Sequence, residues 1–188
     1  MIMEKKLIGK KVAILATDGF EQSELMEPHK TLLNHGATVD IISLKKRKIK
    51  GWKDKNWGDE IEANVSIDEV RSGKYDALVL PGGVMNPDKL RMNKDVVNFV
   101  TDFFEEKKPI AAICHGPWTL IETNKLRGRK VTSYESIKTD LINAGAKWVD
   151  EEVVVDQGLV TSRTPKDLPA FCKKMVEEIA EGIHERVL

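Results

Sequence analysis

Pro109-Ile-Ala-Ala-Ile-Cys-His-Gly-Pro-Trp-Thr-Leu120 holds a complete strand-to-helix transition. Its first half, Pro109–Cys114, is short and almost wholly apolar, as a strand buried on both faces must be. Its second half opens a helix, expected through Trp118–Leu126. Pro117 suits the first helical position, where a missing N–H costs nothing. Between them lies Cys114-His115-Gly116, a tight strand-to-helix turn.

The same alternation recurs on either side. Lys11–Ala16 reads as a buried strand ending in the turn signal Thr17-Asp18-Gly19. A helix over Gln22–Leu33 follows, with Leu25, Met26, Leu32 and Leu33 at helical spacing and Asn34-His35-Gly36 as its stop. Thr38–Leu44 is the next strand. The charged stretch through Trp52 and Trp57 then breaks the regularity, and the basic run Lys45–Lys50 is expected as a solvated loop. Ala77–Leu80 is a third buried strand opening into Pro81-Gly82-Gly83, and Val96, Val97, Phe99, Val100, Phe103 and Phe104 give a helical face across Lys94–Lys107. Lys130–Ser133 reads as a strand, Ile137–Asn143 as a helix, and Trp148–Val155 with Leu159–Ser162 as a late hairpin. Leu168, Phe171, Cys172, Met175, Val176, Ile179 and Ile183 form a stripe on a C-terminal helix.

Strands alternating with helices imply a doubly wound, mostly parallel sheet with helices on both faces. Ligands of such sheets sit at the carboxyl ends of the strands. Three loops are expected there: Gly19-Phe20-Glu21, Pro81-Gly82-Gly83 and Cys114-His115-Gly116.

The 188 residues, 41% apolar and 32% charged, fit one domain over 1–188. Thirty Lys and Arg balance thirty Asp and Glu, so the molecule has no overall positive field with which to hold nucleic acid or an anionic membrane. No apolar stretch reaches the length of a membrane span, and Met1–Ile8 lacks the apolar block of a secretion signal, so a cytoplasmic protein is expected. Cys114 and Cys172 are expected as free thiols. His29, His35, His115 and His184 show no metal-ligand spacing, and no metal or organic cofactor is implied.

Cys114 carries the chemical signal. Small residues two positions away on either side, Ala112 and Gly116, permit the strained turn of a nucleophile elbow and leave the side chain accessible. A helix N-terminus beneath the thiol favours the thiolate. Backbone amides of His115 and of the Gly82-Gly83 loop are placed to bind an oxyanion. Cys172, on an apolar stripe with no basic neighbour in sequence, reads as core. Glu21 is open to two readings: ionised it opposes a thiolate, and protonated in an apolar pocket it donates to one.

AICHGPWTL (112–120), DGFEQSEL (18–25), ALVLPGG (77–83), LRGRKVTSY (126–134) and INAGAKWVDEEVVVD (142–156) together resemble the ThiJ/PfpI superfamily, in its intracellular protease I branch. IKGWKDKNWGDE (49–60) is similar to a general-stress-protein group of that branch. The resemblance implies a flavodoxin-like sandwich related to class I glutamine amidotransferases. It further implies Cys114 as nucleophile, His115 as the adjacent base and Glu21 as the acid touching the sulfur. It also implies a homodimer or a ring of dimers forming a hexamer, with an acid reaching the histidine from a neighbouring subunit. Asp88 matches that acid, where the family's protease carries glutamate.

The expected function is therefore a cysteine-dependent hydrolase or lyase acting on small reactive carbonyls or their protein adducts, of the glyoxalase or deglycase type. Peptidase action on small peptides is the alternative within enzymes. A redox-sensing or chaperone-like stress protein without turnover is the alternative outside them, because an oxidisable low-pKa thiol serves both.

Overall fold

A computed structural model describes residues 4–183, so His184 and the first three residues of the N-terminal segment lie outside the described residues. The chain runs β1 (Lys11–Leu15), β2 (Phe20–Glu21), α1 (Gln22–Asn34), β3 (Thr38–Ser43), β4 (Arg47–Lys53), β5 (Asn56–Ala63), β6 (Val65–Ser66) and β7 (Ala77–Leu80). It continues through α2 (Met85–Leu90), α3 (Lys94–Glu105), β8 (Ile110–Ile113), α4 (Pro117–Ile121), β9 (Lys130–Val131) and α5 (Lys138–Asn143). Last come β10 (Lys147–Trp148), β11 (Val153–Asp156), β12 (Leu159–Ser162) and α6 (Leu168–Glu181).

The central sheet has seven strands in the order β11-β12-β8-β7-β1-β3-β6. All neighbours are parallel except the edge pair β11–β12. This is the flavodoxin-like, doubly wound arrangement expected from the alternation of elements. Every residue of β7 and β8 is buried, because both faces of the sheet are covered. Successive side chains go to opposite faces. Val12, Ile14, Val79 and Ile113 meet α1 and α6 through Leu25, Leu32, Phe171 and Met175. Ala13, Leu15, Leu78 and Ala112 meet the opposite layer through Val100, Phe103, Leu120 and Leu141. Cys172 belongs to the first of these clusters, as its stripe requires.

The charged region after β3 departs from expectation. Lys45 and Lys46 are exposed, but Arg47–Lys53 is a strand, paired antiparallel with β5 and parallel with β2. Opposite charges face one another across this ribbon, Lys48 against Glu62 and Lys50 against Glu60, while Ile49 opposes Ile61 on the other face. Asp54 and Lys55 take positive φ, 49° and 63°, in the two-residue loop between Lys53 and Asn56. No glycine marks that loop, so the sequence hides it. Trp52 and Trp57 then meet edge to face, with ring centroids 5.4 Å apart.

Three boundaries also shift. The helix expected through Leu126 ends at Ile121, and turns carry the chain onward. Lys147–Trp148 pairs in parallel with β9, so the late hairpin begins only at Val153. α6 stops at Glu181, and Ile183 is exposed beyond it.

Phe103 is fully buried and meets Phe99 edge-on with centroids 5.2 Å apart. Phe103→Ala is expected to cost about 3–5 kcal/mol, as loss of a buried ring does. Urea unfolding should show a lower midpoint at unchanged slope. Met92→Ala, at a side chain 77% exposed, should stay within about 0.5 kcal/mol of the parent.

Candidate active site

The order of the strands reverses between β1 and β7, and the loops leaving β1, β7 and β8 converge there. Cys114 follows β8 with φ +62°, a left-handed conformation that a side-chain-bearing residue rarely adopts. The turn is fixed from both sides, since Cys114 N–H donates to Ser162 O at 3.0 Å and Tyr134 N–H donates to Cys114 O at 2.9 Å. Two neighbours must be glycine for it to close. A Cβ on Gly116 would stand 2.4 Å from Leu80 O, and one on Gly82 would stand 2.7 Å from Cys114 Cβ.

The acid beside the sulfur is Glu24, and Glu21 is not. Glu21 is the residue before α1, half-buried, with its carboxylate accepting from Ser23 Oγ at 3.1 Å. Glu24 lies one turn further on, fully buried, with Oε2 accepting from Gly82 N–H at 2.9 Å and the carboxyl against Cys114. Its other oxygen has no nitrogen or oxygen partner. Burial, reinforced by the negative charge of Glu21, raises the Glu24 carboxyl to about 8. A carboxyl with one oxygen unpartnered in an apolar setting is costly to ionise, so it keeps its proton at neutral pH.

Burial pushes the Cys114 thiol up, repulsion from an ionised Glu24 pushes it further, and the amides of Gly83 and His115 pull it down. The two groups therefore titrate as a pair, and the first proton lost belongs to the pair. The proton that remains rests on whichever group is less well served as an anion. The sulfur has two backbone amides and the neighbouring imidazole; the carboxyl has the single amide of Gly82. Once the pair has lost its first proton, these donors favour the thiolate over the carboxylate as the anion.

His115 Nδ1 lies 3.2 Å from Cys114 Sγ, and Nε2 lies 3.0 Å from Ser136 Oγ. The Tyr134 ring stacks on the imidazole at 4.8 Å, and Trp118 meets it edge-on at 5.4 Å. Burial lowers the His115 pKa, leaving the ring neutral at pH 7. Of the expected oxyanion donors, the Gly83 and His115 amides face the sulfur, whereas the Gly82 amide is occupied by Glu24. α4 has only five residues, so these local amides, more than a helix terminus, favour negative charge here. Asp88 sits exposed in the first turn of α2, and within the chain no hydrogen bond or ion pair joins it to His115.

Asn86 and Asp18 also contribute, beyond the residues expected from the sequence. Asn86, fully buried, accepts from Thr17 N–H at 2.8 Å and donates to Pro81 O and Gly82 O, tying the β7 loop to the end of β1. Nothing in its local sequence marks it. Asp18 ties the hairpin to the same corner through Arg47 and the Lys50 amide. Burial raises the Asp18 carboxyl, but these bonds outweigh it and hold the group below the usual carboxylate range. Among the described residues, no three or more His, Cys, Asp or Glu side chains gather as metal ligands would.

The profile of the DJ-1/PfpI family matches residues 10–178. General stress protein 18 of Bacillus subtilis is 48% identical over 165 residues, covering 87% of this chain and 94% of that one. Protein/nucleic acid deglycase 2 of Escherichia coli is 46% identical over 165 residues, with the same coverage of 87% and 94%. Among solved structures, a two-domain protein with DJ-1/ThiJ/PfpI-like and ferritin-like domains from Anabaena variabilis matches with a TM-score of 0.86 and 39% identity. That match covers 90% of this chain and 48% of the other, so this chain spans about half of that protein.

Two outcomes test the role of Glu24. Glu24→Leu should raise the titration midpoint of the Cys114 thiolate absorbance, because a donor is lost. Glu24→Gln, which keeps a donor, should move it little, and Glu21→Gln should leave it near the parent. Stability supplies the second. Between 4.5 and about 8 the folded chain holds a Glu24 proton that the unfolded chain has released. Glu24 therefore contributes a fall in stability as pH rises through that window and none above it. Glu24→Gln should flatten this part of the slope in urea unfolding.

Proposed function

The chain belongs to the DJ-1/PfpI family, and from that premise we propose that it is a cysteine-dependent hydrolase or lyase of small reactive carbonyls and their protein adducts. The observation that carries this reading is Cys114 itself. It stands on a left-handed elbow with two amides and a buried, proton-bearing carboxyl against its sulfur. The residue is only 7% exposed. A small aldehyde needs little room, whereas a peptide carbonyl brings chain on both sides. That difference favours the carbonyl reading over the peptidase one, and the name of the Escherichia coli relative points the same way.

With an α-ketoaldehyde such as methylglyoxal, the thiolate adds to the aldehyde carbon, and the electrons of its C=O bond move to oxygen. The Gly83 and His115 amides stabilise that oxygen as charge develops. His115 Nδ1 supplies its proton, giving a hemithioacetal. Moving the hydrogen of this carbon to the neighbouring ketone oxidises one carbon and reduces the other, so no external oxidant is needed. The resulting thioester is cleaved by water to a 2-hydroxy acid and the free thiol. With a hemiaminal adduct of the same carbonyl, the C–S bond forms as the C–N bond breaks, and the amine leaves carrying a proton from His115, giving the same hemithioacetal.

The same reading takes the working protein as cytoplasmic and as a homodimer or ring of dimers, in which exposed Asp88 meets a neighbouring copy. Among the described residues, no helix is long and apolar enough to cross a membrane.

Purified chain should consume many equivalents of methylglyoxal per Cys114 and release lactate, read by mass spectrometry. Cys114→Ala should abolish turnover while keeping the parental unfolding midpoint. Loss of a single equivalent, or unchanged turnover in the folded variant, would remove the enzyme reading. Specific activity should fall on dilution below the assembly's dissociation constant.

A further inference from the structure

His115 is held at both ring nitrogens within one chain, by Cys114 Sγ on the inner side and by Ser136 Oγ on the outer. We propose that Ser136 is a positioning residue for His115. Its hydroxyl supports either imidazole tautomer and connects the ring to solvent. The proposal rests on the reading that Cys114 and His115 perform the chemistry.

A carboxylate and a hydroxyl differ in what they can offer Nε2. A carboxylate at Nε2 can only accept, and so fixes the tautomer that carries hydrogen on Nε2. A serine hydroxyl both donates and accepts. When Nδ1 is bare and accepts from the thiol, Nε2–H donates to Ser136 Oγ. When Nδ1 carries the hydrogen and donates to the thiolate, Nε2 accepts from Ser136 O–H. The two states interconvert with protons balanced: Nδ1 gains the thiol proton, Nε2 passes its own to Ser136 Oγ, and the serine releases its former hydroxyl proton to solvent. The reverse sequence restores the thiol. The base needed before addition and the acid needed after it are thus the same ring, held by the same neighbour.

The placement of Ser136 fits this role. It is exposed and lies on a cleft of about 690 Å³ lined also by Tyr134, Lys138, Trp148, Arg163 and Lys166. The segment carrying it is pinned by Thr132 N–H to Thr161 Oγ1 at 2.9 Å, and by Trp148 Nε1–H to Ser133 Oγ at 2.9 Å. Tyr134 N–H reaches the carbonyl of Cys114, and buried Ile137 closes the short turn that holds Ser136. Stacking of Tyr134 on the imidazole fixes the ring plane, so the direction of Nε2 toward Oγ is set.

The full chain, labelled with ¹⁵N at histidine, is compared with Ser136→Ala and Ser136→Thr at one neutral pH. Ser136→Ala should shift the His115 Nε2 resonance and lower kcat for methylglyoxal roughly tenfold with KM little changed, as loss of one hydrogen bond at a proton-transfer group does. Ser136→Thr keeps the hydroxyl and should restore both. An unchanged resonance and unchanged kcat in Ser136→Ala overturn the proposal. So does a Ser136→Thr variant with the parental unfolding midpoint that is as impaired as Ser136→Ala. If the parent shows no carbonyl turnover but the Nε2 resonance responds to Ser136→Ala and not to Ser136→Thr, the carbonyl reading fails and the role of Ser136 stands.

Discussion

A cysteine in the left-handed region at the end of β8 is the constraint to which the rest of this site answers. Such a conformation costs on the order of 1–3 kcal/mol and persists only where its surroundings over-determine it. Here they do so by removing side chains. Gly116 lies under Leu80 O, Gly82 lies against the Cys114 Cβ, and Gly83, itself at φ +76°, has Gly19 O where a Cβ would be. With the glycines in place, the β7 loop comes close enough to the elbow for its amides to serve as donors. Asn86 then replaces the contacts that the missing side chains cannot make, bonding the loop backbone to Thr17 at the end of β1. The fully buried strands on either side supply the apolar contact that offsets the strain.

The same crowding sets the proton chemistry. Glu24 occupies the space that a side chain at Gly82 would need, 2.5 Å from where its Cβ would be. The carboxyl is therefore enclosed between a backbone amide and a sulfur, with one oxygen unpartnered. Ionising both members of the pair would place two anions in contact at low dielectric, and ionising neither would leave the Gly83 and His115 amides facing a poor acceptor. Between these limits lies the state with one shared proton, reached when the pair first ionises. Burial thus does two opposing things at once: it raises both groups individually, and through Glu24 it provides the donor that a thiolate requires.

Most of this architecture is legible in the sequence because it rests on local signals. Apolar runs, glycine-bearing loops and the Cys-His-Gly-Pro turn place the sheet, its loaded edge and the cysteine on its elbow. What fails is helix phase. The Gly19-Phe20-Glu21 turn at the sheet edge, together with the family resemblance, puts Glu21 at the sulfur, and the apolar spacing of Leu25, Met26, Leu32 and Leu33 leaves Glu24 unremarked. The buried face is Glu24, Leu25, Pro28 and Leu32, with Leu33 exposed, and on that phase Glu24 is the only acid turned inward. The signal was present as a carboxylate in register with Leu25, Pro28 and Leu32. Asn86, the occupied Gly82 amide and the contact of Ser136 with His115 carry no such signal, since each depends on how loops distant in sequence meet.

The β4–β5 ribbon shows the converse failure, where composition masks regular structure. Its lysines and glutamates read as solvated loop because the alternation is partly one of charge: Lys48 faces Glu62 and Lys50 faces Glu60 across the strands, and Ile49 and Ile61 share the other face. The strand pair joins the core on one face only, through Ile49, Ala63 and half-buried Ile61. It needs an anchor at one end, and Asp18 provides it by accepting from Arg47 and the Lys50 amide while Gly19 N–H donates to Lys50 O. These bonds attach the ribbon to the loop that leads from β1 into Glu21 and α1, the helix that carries Glu24. The hairpin least visible in the sequence thereby fixes the entry angle of the helix on which the shared proton depends.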